Sequence, residues 1–452
     1  MKSNVLIIDI PNIPYSSNQE NIKLDDELYK CDLKWEKHFG LNNQVRAHLL
    51  SYTTGVLYIA SVLTSAGYPI EYYNYEQKGL KQLKSRLKDK THVFISSISA
   101  FFPIYSQVIA EIKSIQKDFK IIIGGFGPTY EPKKFLSIAP RNTVAVIGGG
   151  EKKVIEAIKY FETEILYEGL AIRNNINLIG TKDLTPDIIP QPNYSILKNI
   201  TNYRINVSTI RGCPGSCSFC SGVPFWKKII LRDVDKVIEE LKYLNKTLEK
   251  NTLIHFCDNV ITYPEERFLK LTEAISKQHF DLHFSCDVRA DSVNKRTSIA
   301  LQNGNFKRIC LGVEDCNNEI LRHHHKGMTF EDNLKALNYL RKNTDSYLTA
   351  YWLIGLPGTT FRSIKENQKA ISKLIDENLV DQIALSIFKP YPGCKFNKDE
   401  ISIETDWNSF LEDMDFPIYS LPNISAMELS TAMLDYKKTV INAYKKRLST
   451  NE

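Results

Sequence analysis

The feature that most constrains the fold is an alternation of short apolar runs with segments of helical period, which occurs twice along the chain. In the first third of the sequence, the apolar runs lie at 5–10, 70–75, 92–98, 120–123 and 144–147. Because buried strands that alternate with helices form parallel sheets, residues 1–162 are predicted to be a Rossmann-like, doubly wound parallel sheet. Residues 15–43 lack a clear period, and a long loop that covers a ligand is expected there.

A second series of apolar runs begins near residue 204. Its members lie at 204–210, 253–257, 282–288, 308–313, 347–354 and 382–388, and helical patterns separate them. Six strand–helix units predict a partial (β/α)6 barrel of the TIM type over residues 203–394. Active sites of such barrels lie at the C-terminal ends of the strands. Functional residues are therefore expected in the loops that follow these runs.

The remaining segments are predicted to connect or cover these two units. Residues 163–202 contain a predicted hairpin at Asn174 and Asn175 and a proline-rich stretch that cannot be regular helix, so they are assigned as a linker. Residues 395–452 are predicted to form a small helical region, with helices at 406–414 and 426–448. This region is expected to cover the open mouth of the barrel.

Three cysteines follow the first run of the second series. Cys213, Cys217 and Cys220 have the spacing C-x3-C-x2-C and lie among glycine, proline and serine residues, which is typical of a loop. Three thiolates leave one iron of a four-iron, four-sulfur cluster without a protein ligand, and an open iron can bind a substrate. The alternative is a zinc knuckle, but structural zinc needs four ligands and the sequence has no second C-x2-C pair. The spacing therefore favours an iron–sulfur site.

Phe219 completes the motif C-x3-C-x-aromatic-C, and at this point the stretch closely resembles the radical S-adenosylmethionine (SAM) superfamily. The resemblance implies that the three cysteines hold a [4Fe-4S] cluster and that the open iron chelates the amino and carboxylate groups of SAM. It also implies SAM contacts in the cysteine loop and at the ends of later strands. These contacts are expected at Phe219, Arg289, Glu314, Gly355 and Pro357.

Two of these expected SAM contacts keep an alternative. The carboxylate of Glu314, in the stretch Gly312-Val313-Glu314, can accept hydrogen bonds from ribose hydroxyls or from the amino group, and the alternative is an ordinary surface ion pair. Arg289 can pair with the carboxylate of SAM, or it can form a salt bridge within the barrel rim.

The first domain resembles the cobalamin-binding domain that precedes the core in one large branch of the radical SAM superfamily. In that domain a serine loop and glycine turns hold the nucleotide tail of cobalamin. The resemblance therefore assigns cobalamin contacts to Ser97, Ser99, Gly124, Gly125, Gly148, Gly149, Gly150 and Glu151. The alternative is that these glycines only form ordinary strand-to-helix turns. The motif D-x-H-x-x-G, whose histidine ligates cobalt in many such domains, does not occur in the sequence, so no lower cobalt ligand is predicted.

Composition narrows the class of protein. The 452 residues are 43% hydrophobic and 24% charged, which is typical of a globular protein with a large core. The net charge of +6 comes from 58 basic residues spread among 52 acidic ones, so nucleic-acid binding is not expected. No stretch approaches the length of a membrane span, and the N-terminus has no signal-peptide pattern, so a cytoplasmic protein is predicted.

Other cysteines and a run of histidines are assigned no metal. Free core thiols are expected at the cysteines that form no C-x2-C pair, namely Cys257, Cys286, Cys310, Cys316 and Cys394. Cys316 and Cys394 lie near predicted active-site loops, where a thiol can donate a proton or a hydrogen atom, and their role is left open. Consecutive histidines point around a helix, so residues 323–325 are predicted to be a solvated helix end.

The resemblance as a whole implies a cobalamin-dependent radical SAM enzyme, with methyl transfer to an unactivated carbon as the favoured reaction. In that chemistry the reduced cluster cleaves SAM to a 5′-deoxyadenosyl radical, the radical takes hydrogen from the substrate, and methylcobalamin supplies the methyl group. One alternative is a cobalamin-binding radical SAM enzyme that catalyses ring closure or rearrangement without methyl transfer. Another is a non-enzymatic cobalamin or iron–sulfur sensor. The expected partners are a small-molecule or peptide substrate and an external one-electron reductant of the flavodoxin or ferredoxin type.

Overall fold

The computed structural model of the chain describes residues 4–10, 19–39, 41, 49–115, 117–176, 189–403 and 417–451. These residues form two six-stranded sheets with helices packed on them, which confirms the predicted α/β class. The helix predicted at 406–414 and most of the proline-rich stretch before residue 189 lie outside the described residues. The domain boundaries at residues 162, 202 and 394 stay predictions.

The first sheet is doubly wound, as the sequence predicts. Its strands are β1 (Val5–Asp9), β2 (Ile70–Asn74), β3 (His92–Ser96), β4 (Lys120–Gly124), β5 (Thr143–Val146) and β6 (Leu170–Ala171). The order is β2-β1-β3-β4-β5-β6, with the first five strands parallel and β6 antiparallel to β5. In β1, Val5 and Ile7 pack into one apolar cluster and Leu6 and Ile8 into another. Because both faces of the sheet are covered, its strands are continuous apolar runs.

The helices of this part include one that the sequence did not predict. They are α1 (Gln19–His38), α2 (Thr54–Ser65), α3 (Tyr75–Lys78), α4 (Leu83–Leu87), α5 (Phe102–Ser114), α6 (Phe126–Tyr130), α7 (Pro132–Ile138) and α8 (Lys153–Thr163), with a 3-10 turn at Ser99–Phe101. The loop predicted over 15–43 is wrong, because α1 occupies most of it. This helix buries Leu24, Leu28 and Cys31 on one face. Such a sparse apolar stripe among charged residues gives a weak helical pattern.

The second sheet is the predicted partial barrel. Its part of the chain contains β7 (Asn206–Val207), β8 (Ile210–Arg211), β9 (Ile230–Leu231), β10 (Thr252–Phe256), β11 (Leu282–Val288), β12 (Phe306–Glu314), β13 (Tyr347–Ile354) and β14 (Gln382–Ile387). The order β14-β13-β12-β11-β10-β7 has parallel neighbours throughout. Strands β8 and β9 pair with each other outside this sheet. Two short strands, β15 (Ser402–Ile403) and β16 (Tyr419–Ser420), form an antiparallel pair.

The first barrel strand, predicted over 204–210, is wrong in its second half. The chain leaves the sheet after Val207 because the buried carboxylate of Asp258 accepts the backbone N–H groups of Thr209 and Ile210 at 2.7 and 2.9 Å. The Thr209 hydroxyl also donates to Asp258 at 2.6 Å. These bonds direct the chain into β8, so the cysteine loop begins at the end of a short hairpin strand.

The helices of the second part pack around the barrel. They are α9 (Gly222–Phe225), α10 (Val234–Thr247), α11 (Glu265–Ser276), α12 (Lys295–Asn303), α13 (Asn318–His323), α14 (Phe330–Asn343), α15 (Phe361–Asp376) and α16 (Ala426–Asn451). The long α16 packs against α15, α1 and β14, so it lies beside the edge strand of the barrel. The Tyr419 hydroxyl, before α16, donates to the Gly355 carbonyl oxygen at 2.7 Å and so reaches a loop at the strand ends. Among the helices described, none is long and apolar enough to cross a membrane.

Candidate functional site

A cavity lies where the carboxyl edge of the first sheet faces the start of the cysteine loop. It encloses about 1400 Å³ of empty space, part of which is open to solvent. The first domain contributes helix α2 and the glycine turns after β4 and β5. The barrel contributes Ser208, Ile210, Arg211, Gly212, Phe225, Trp226, Cys257 and Asn259. Ligands of doubly wound sheets bind at this edge, so a cofactor here meets both domains.

Most of the residues predicted to contact cobalamin line this cavity. They are Gly124, Gly125, Gly148, Gly149, Gly150 and Glu151. Gly125 has a φ of 102°, and a Cβ atom there would lie 2.6 Å from the carbonyl oxygen of Ser97. At Gly150 a Cβ atom would lie 2.8 Å from Cδ1 of Ile59. Glycine is therefore required at Gly125, whereas at Gly150 the end of the Ile59 side chain would have to shift; at both positions glycine leaves the backbone accessible to a ligand.

The two predicted serines do not line the cavity. Ser97 and Ser99 are buried behind its wall, and the Ser97 hydroxyl donates to the carbonyl oxygen of Ile98 at 3.1 Å. Ser96 lines the cavity instead. It is the last residue of β3 and pairs with Gly124 of β4, so its place is set by strand register, which the sequence does not reveal.

The cysteine loop is half buried, and its three thiols are free. Burial raises the pKa of all three thiols. Lys326 and Arg289 oppose this rise in pKa at both Cys213 and Cys217. The backbone N–H of Gly215 donates to Sγ of Cys213 at 3.3 Å. Nearby cations and N–H donors favour the thiolate form that binds metal.

Arg289, a predicted SAM contact, holds this loop in place. Its Nη1 lies 3.6 Å from Sγ of Cys217, and its Nη2 donates to Asp291 at 2.8 Å and to the Lys326 carbonyl oxygen at 3.2 Å. The guanidinium also packs against Gly215, where a Cβ atom would overlap it. The barrel-rim salt bridge that the sequence left open is thus present, and it brings Arg289 to the thiol of Cys217.

Glu314, another predicted SAM contact, is in an unusual backbone conformation. It has a φ of 70° at the end of β12, where the register shifts. Its Oε1 lies 2.7 Å from Nζ of Lys326, and both side chains are buried. Gly312 makes this possible, because a Cβ atom there would overlap the Glu314 carboxylate and lie 3.0 Å from Nζ of Lys326. Strained backbone of this kind concentrates at functional sites.

Lys326 was not predicted. It follows the histidine run, and its ammonium group also lies 5.9 Å from the centre of the Phe219 ring. It therefore joins two predicted SAM contacts, Phe219 and Glu314. Its position after β12, in a loop at the C-terminal ends of the strands, is the signal that the sequence offered.

The prediction of a solvated helix end at 323–325 is wrong for His324. His324 is buried between the cysteine loop and the loop after β13. Its Nε2 lies 2.8 Å from the carbonyl oxygen of Pro357, which can only accept, so Nε2 donates and Nδ1 accepts from the Ser218 hydroxyl at 2.7 Å. Burial lowers the pKa of His324, which favours this neutral form. His323 pairs with Glu400 and His325 is exposed, as predicted for the whole run.

The loop after β13 contains the last two predicted SAM contacts. Gly355 has a φ of 82°, and its carbonyl oxygen accepts from the Tyr419 hydroxyl. Pro357 accepts from His324. His324 thereby connects this loop to Ser218, between two of the cysteines.

The two cysteines whose role was left open lie in different places. Sγ of Cys394 donates to the carbonyl oxygen of Phe219 at 3.0 Å, so this thiol lies against the cysteine loop. Cys316 is beside Asn367, which accepts its backbone N–H at 2.9 Å. Burial raises the pKa of both thiols to about 12. Cys257 lines the cavity, with Sγ 3.9 Å from Oγ1 of Thr54.

These residues fit the cofactors that the motifs imply. Within the described ranges, no three His, Cys, Asp or Glu side chains come close enough to hold a single metal ion. Three thiols in one loop match the ligand set of a four-iron, four-sulfur cluster with one open iron. Tyr58 and Arg211 line the cavity, and the Tyr58 hydroxyl and Nη1 of Arg211 are buried with no hydrogen-bond partner among the described residues. Buried donors of this kind cost free energy unless a ligand accepts from them.

A second cavity, of about 1090 Å³, lies at the other end of the barrel. Its wall includes Arg204, His255 and Arg308, and it contains none of the predicted site residues. Because barrel enzymes use the C-terminal ends of their strands, the chemistry is assigned to the interdomain cavity and the cysteine loop.

Comparison with protein-family models agrees with the two domains described above. The model of the radical SAM superfamily matches residues 207–371, and the model of the B12 binding domain matches residues 45–158. The chain therefore contains a radical SAM domain and, in front of it, a B12-binding domain. It is a cobalamin-dependent radical SAM enzyme, whose cofactors are a [4Fe-4S] cluster, SAM and cobalamin.

The relatives of the chain carry names for more than one reaction. It is 25% identical over 369 residues to the uncharacterized methyltransferase PH0819 of Pyrococcus horikoshii, a match that covers 77% of each chain. It is 24% identical over 297 residues to the anaerobic magnesium-protoporphyrin IX monomethyl ester cyclase of Synechocystis sp., which covers 62% of this chain and 58% of that protein.

Solved structures share the fold over most of the chain. The radical SAM methyltransferase TsrM from Kitasatospora setae, with cobalamin and a [4Fe-4S] cluster bound, has a TM-score of 0.63 at 14% identity, over 87% of this chain and 77% of TsrM. The cobalamin-dependent radical enzyme OxsB, with aqua-cobalamin and SAM bound, has a TM-score of 0.63 at 16% identity, over 97% of this chain and 56% of OxsB. At these identities the likeness concerns the fold.

Proposed function

We propose that this enzyme transfers a methyl group to an unactivated carbon of a small-molecule or peptide substrate. The observation that carries the proposal is the position of the cysteine loop, because Arg211 and Gly212, directly before Cys213, line the cavity of the B12-binding domain. When bound, cobalamin supplies the methyl group, and the cluster with SAM supplies the radical that activates the carbon. Methyl transfer requires these cofactors to meet at one substrate, and a cavity that reaches the residues directly before Cys213 supports such a meeting.

In this proposal Cys213, Cys217 and Cys220 hold the cluster. The loop is preorganised for this role, since Arg289 contacts Cys217 and His324 fixes Ser218. Positive charge beside the thiols stabilises their thiolate forms, which are the forms that ligate iron. An external reductant of the flavodoxin or ferredoxin type, which would supply electrons to the cluster, is part of the same proposal.

The proposed SAM contacts surround this loop. Glu314 can accept hydrogen bonds from an amino group or from ribose hydroxyls, and Lys326 can donate to a carboxylate. The pair can therefore bind both the amino group and the carboxylate of an amino acid. Phe219 presents its ring beside Lys326. Gly355 and Pro357 would contact SAM through their backbone, from the loop that His324 ties to the cysteines.

The proposed cobalamin contacts are the glycine turns and Glu151. The glycines let a ligand lie directly on the backbone of the sheet edge. Most other residues of this wall are apolar or neutral, which suits a large ligand with neutral carboxamide groups at its periphery. Ser97 and Ser99 would act through the loop that they stabilise, because their side chains are buried behind the wall.

A second candidate reaction is ring closure or rearrangement without methyl transfer. It is favoured by the names of three relatives, the magnesium-protoporphyrin IX monomethyl ester cyclases of Synechocystis, Rubrivivax gelatinosus and Cereibacter sphaeroides. The methyltransferase names of PH0819 and TsrM support the first candidate.

Product analysis separates these candidates. The protein is reconstituted anaerobically with iron, sulfide and cobalamin, and is given SAM and a reductant. Methyl transfer should form S-adenosylhomocysteine as well as 5′-deoxyadenosine, whereas ring closure should form only 5′-deoxyadenosine and a sensor neither. Cys213→Ala should abolish 5′-deoxyadenosine, and the matched control Cys286→Ala, a buried thiol in β11, should retain it. Formation of 5′-deoxyadenosine by Cys213→Ala would show that the cluster is held elsewhere.

A further inference from the structure

Both flanks of the cysteine loop are held by the B12-binding domain. On the N-terminal flank, Nη2 of Arg211 lies 2.5 Å from Oε1 of Glu151, and both side chains are 7% exposed. On the C-terminal flank, the Tyr130 hydroxyl donates to the carbonyl oxygen of Ser221 at 2.5 Å. The three cysteines lie between these contacts. A shift of the first domain against the barrel therefore acts on the loop from both ends.

Aromatic rings fix Arg211 at this junction. Its guanidinium lies 4.9 Å from the ring centre of Tyr58, in the first domain, and 5.0 Å from that of Trp226, in the barrel. Next to them, the rings of Phe126 and Phe225 stack across the same boundary at 4.1 Å. Because one ring comes from each domain, the cation–π contacts make the orientation of the guanidinium depend on how the loop and the two domains are placed.

The ion pair between Arg211 and Glu151 is poorly explained by stability alone. All other residues that line the described cavity wall are uncharged. Removing two charges from water often costs more than their attraction returns, so apolar side chains would hold the two domains equally well. A buried ion pair in an otherwise neutral wall is better explained by a ligand or by coupling between sites.

Two buried donors in the wall point to such a ligand. Nη1 of Arg211 and the hydroxyl of Tyr58 have no hydrogen-bond partner among the described residues, although both groups are buried. A buried donor without a partner costs about 1–3 kcal/mol. Both residues line the cavity, so a molecule bound there would lie beside them, and an acceptor that reaches either donor would satisfy it.

We propose that Arg211 couples cobalamin binding to the state of the cysteine loop. Nη2 is held by Glu151, Nη1 donates to a carboxamide oxygen at the corrin periphery, and the backbone of Arg211 runs through Gly212 into Cys213. Gly212 transmits the position of Arg211, because it has a φ of 90° and packs tightly against Lys228, whose carbonyl oxygen would lie 2.8 Å from a Cβ atom. The inference rests on the proposed placement of cobalamin and cluster. Arg211 acts as a positioning residue, since it would not touch the reacting atoms.

Coupling of this kind is reciprocal. If an intact cluster orders the loop and thereby Arg211, cobalamin binds more tightly to protein with the cluster than to protein without it. By the same factor, bound cobalamin tightens the hold of the loop on its iron. One charge-assisted hydrogen bond that forms only in the ordered state corresponds to about a tenfold change in affinity.

The experiment is equilibrium dialysis of hydroxocobalamin against full-length protein with and without the reconstituted cluster. The wild type should bind hydroxocobalamin about tenfold more tightly with the cluster. Arg211→Met should bind it weakly and equally in both forms. Glu151→Gln, which leaves the guanidinium in place, should also lose most of the ratio. As a second readout, cobalamin should slow removal of iron by a chelator in the wild type and not in Arg211→Met.

Two further variants serve as controls. Tyr58→Phe removes one donor but keeps the ring, so it should weaken binding in both forms and keep the tenfold ratio. Arg341→Met removes an arginine that pairs with Asp381 at 2.8 Å, away from the cavity, and should behave as the wild type. A wild-type ratio near one, or a full ratio in Arg211→Met, would overturn the inference and leave the product analysis unaffected. Absence of any cobalamin binding would overturn both this inference and the proposed function.

Discussion

Replacing Lys326 with methionine should destabilise the protein far more than loss of a lysine usually does. The side chains of Lys326 and Glu314 are 4% and 11% exposed, and Nζ and Oε1 are 2.7 Å apart. Removal of one partner from a buried ion pair typically costs about 3–5 kcal/mol, because the remaining charge stays buried. Glu314 is held in place by its backbone, with a φ of 70° at a register shift, and cannot turn easily toward solvent. We therefore expect a loss of about 3 kcal/mol in the free energy of unfolding.

A double variant isolates the cause of this loss. Lys326→Met combined with Glu314→Gln removes both charges, so the penalty for a stranded carboxylate disappears and the loss should shrink to about 1 kcal/mol. An exposed pair provides the matched control. Arg362 lies 2.8 Å from Glu366 with its side chain 88% exposed, and Arg362→Met should change stability by no more than about 0.5 kcal/mol.

The assay is urea unfolding of the protein without cofactors, followed by circular dichroism, for these three variants and the wild type. A loss in Lys326→Met no larger than that in Arg362→Met would refute the reasoning. Equal losses in the single and double variants would place the cost in packing around the lysine stem instead of in the buried carboxylate.

Three further outcomes are expected. Burial raises the pKa of Asp9 to about 6 from 3.8, so the native state keeps this proton to a higher pH than the unfolded chain does. The free energy of unfolding should therefore fall by about 3 kcal/mol as the pH rises from about 4 to about 6. Urea unfolding of Asp9→Asn across this range should show a shallower fall. His324→Ala should speed loss of cluster absorbance in the presence of a chelator, because Ser218 and Pro357 lose their common partner, and the exposed His325→Ala should not. Gly150→Val should weaken cobalamin binding by roughly tenfold or more in a dialysis assay, since any side chain there meets Ile59 at the cavity edge.

The fold could be predicted from the sequence because its strands are buried on both faces. Runs such as Val5–Asp9 are apolar at every position that packs on a helix layer, and this signal does not depend on distant contacts. The errors occurred where contacts between residues far apart in the sequence determine the local structure. Helix α1 is held by its packing on α16, at the other end of the chain. The early end of β7 is imposed by Asp258, about 50 residues downstream.

The same distinction applies to the candidate site. The three cysteines could be predicted because they lie within eight residues of one another, and a short spacing is visible in the sequence. His324 and Lys326 acquire their roles from partners on other elements. His324 depends on Ser218 and Pro357, and Lys326 depends on the unusual backbone of Glu314. When the sequence around His324 and Lys326 is considered by itself, both residues have the pattern of a solvated surface.

Arginine ion pairs elsewhere in the molecule help to distinguish coupling from simple stabilisation. Arg232 and Arg447 are also buried and paired, but both terminal nitrogens of each guanidinium have partners. In Arg232, Nη1 contacts Ser208 and Glu240, and Nη2 contacts Gln191. In Arg447, Nη1 contacts Val380 and Nη2 contacts Asp381. Arg211 differs, because one of its terminal nitrogens is buried without a described partner and the residue lines the interdomain cavity. A guanidinium whose two terminal nitrogens are both paired within the fold offers neither of them to a ligand. A guanidinium with an unpaired buried donor beside a ligand cavity is stabilised when a ligand accepts from that donor. Coupling between two cofactor sites requires such a difference in free energy between the ligand-bound and ligand-free states.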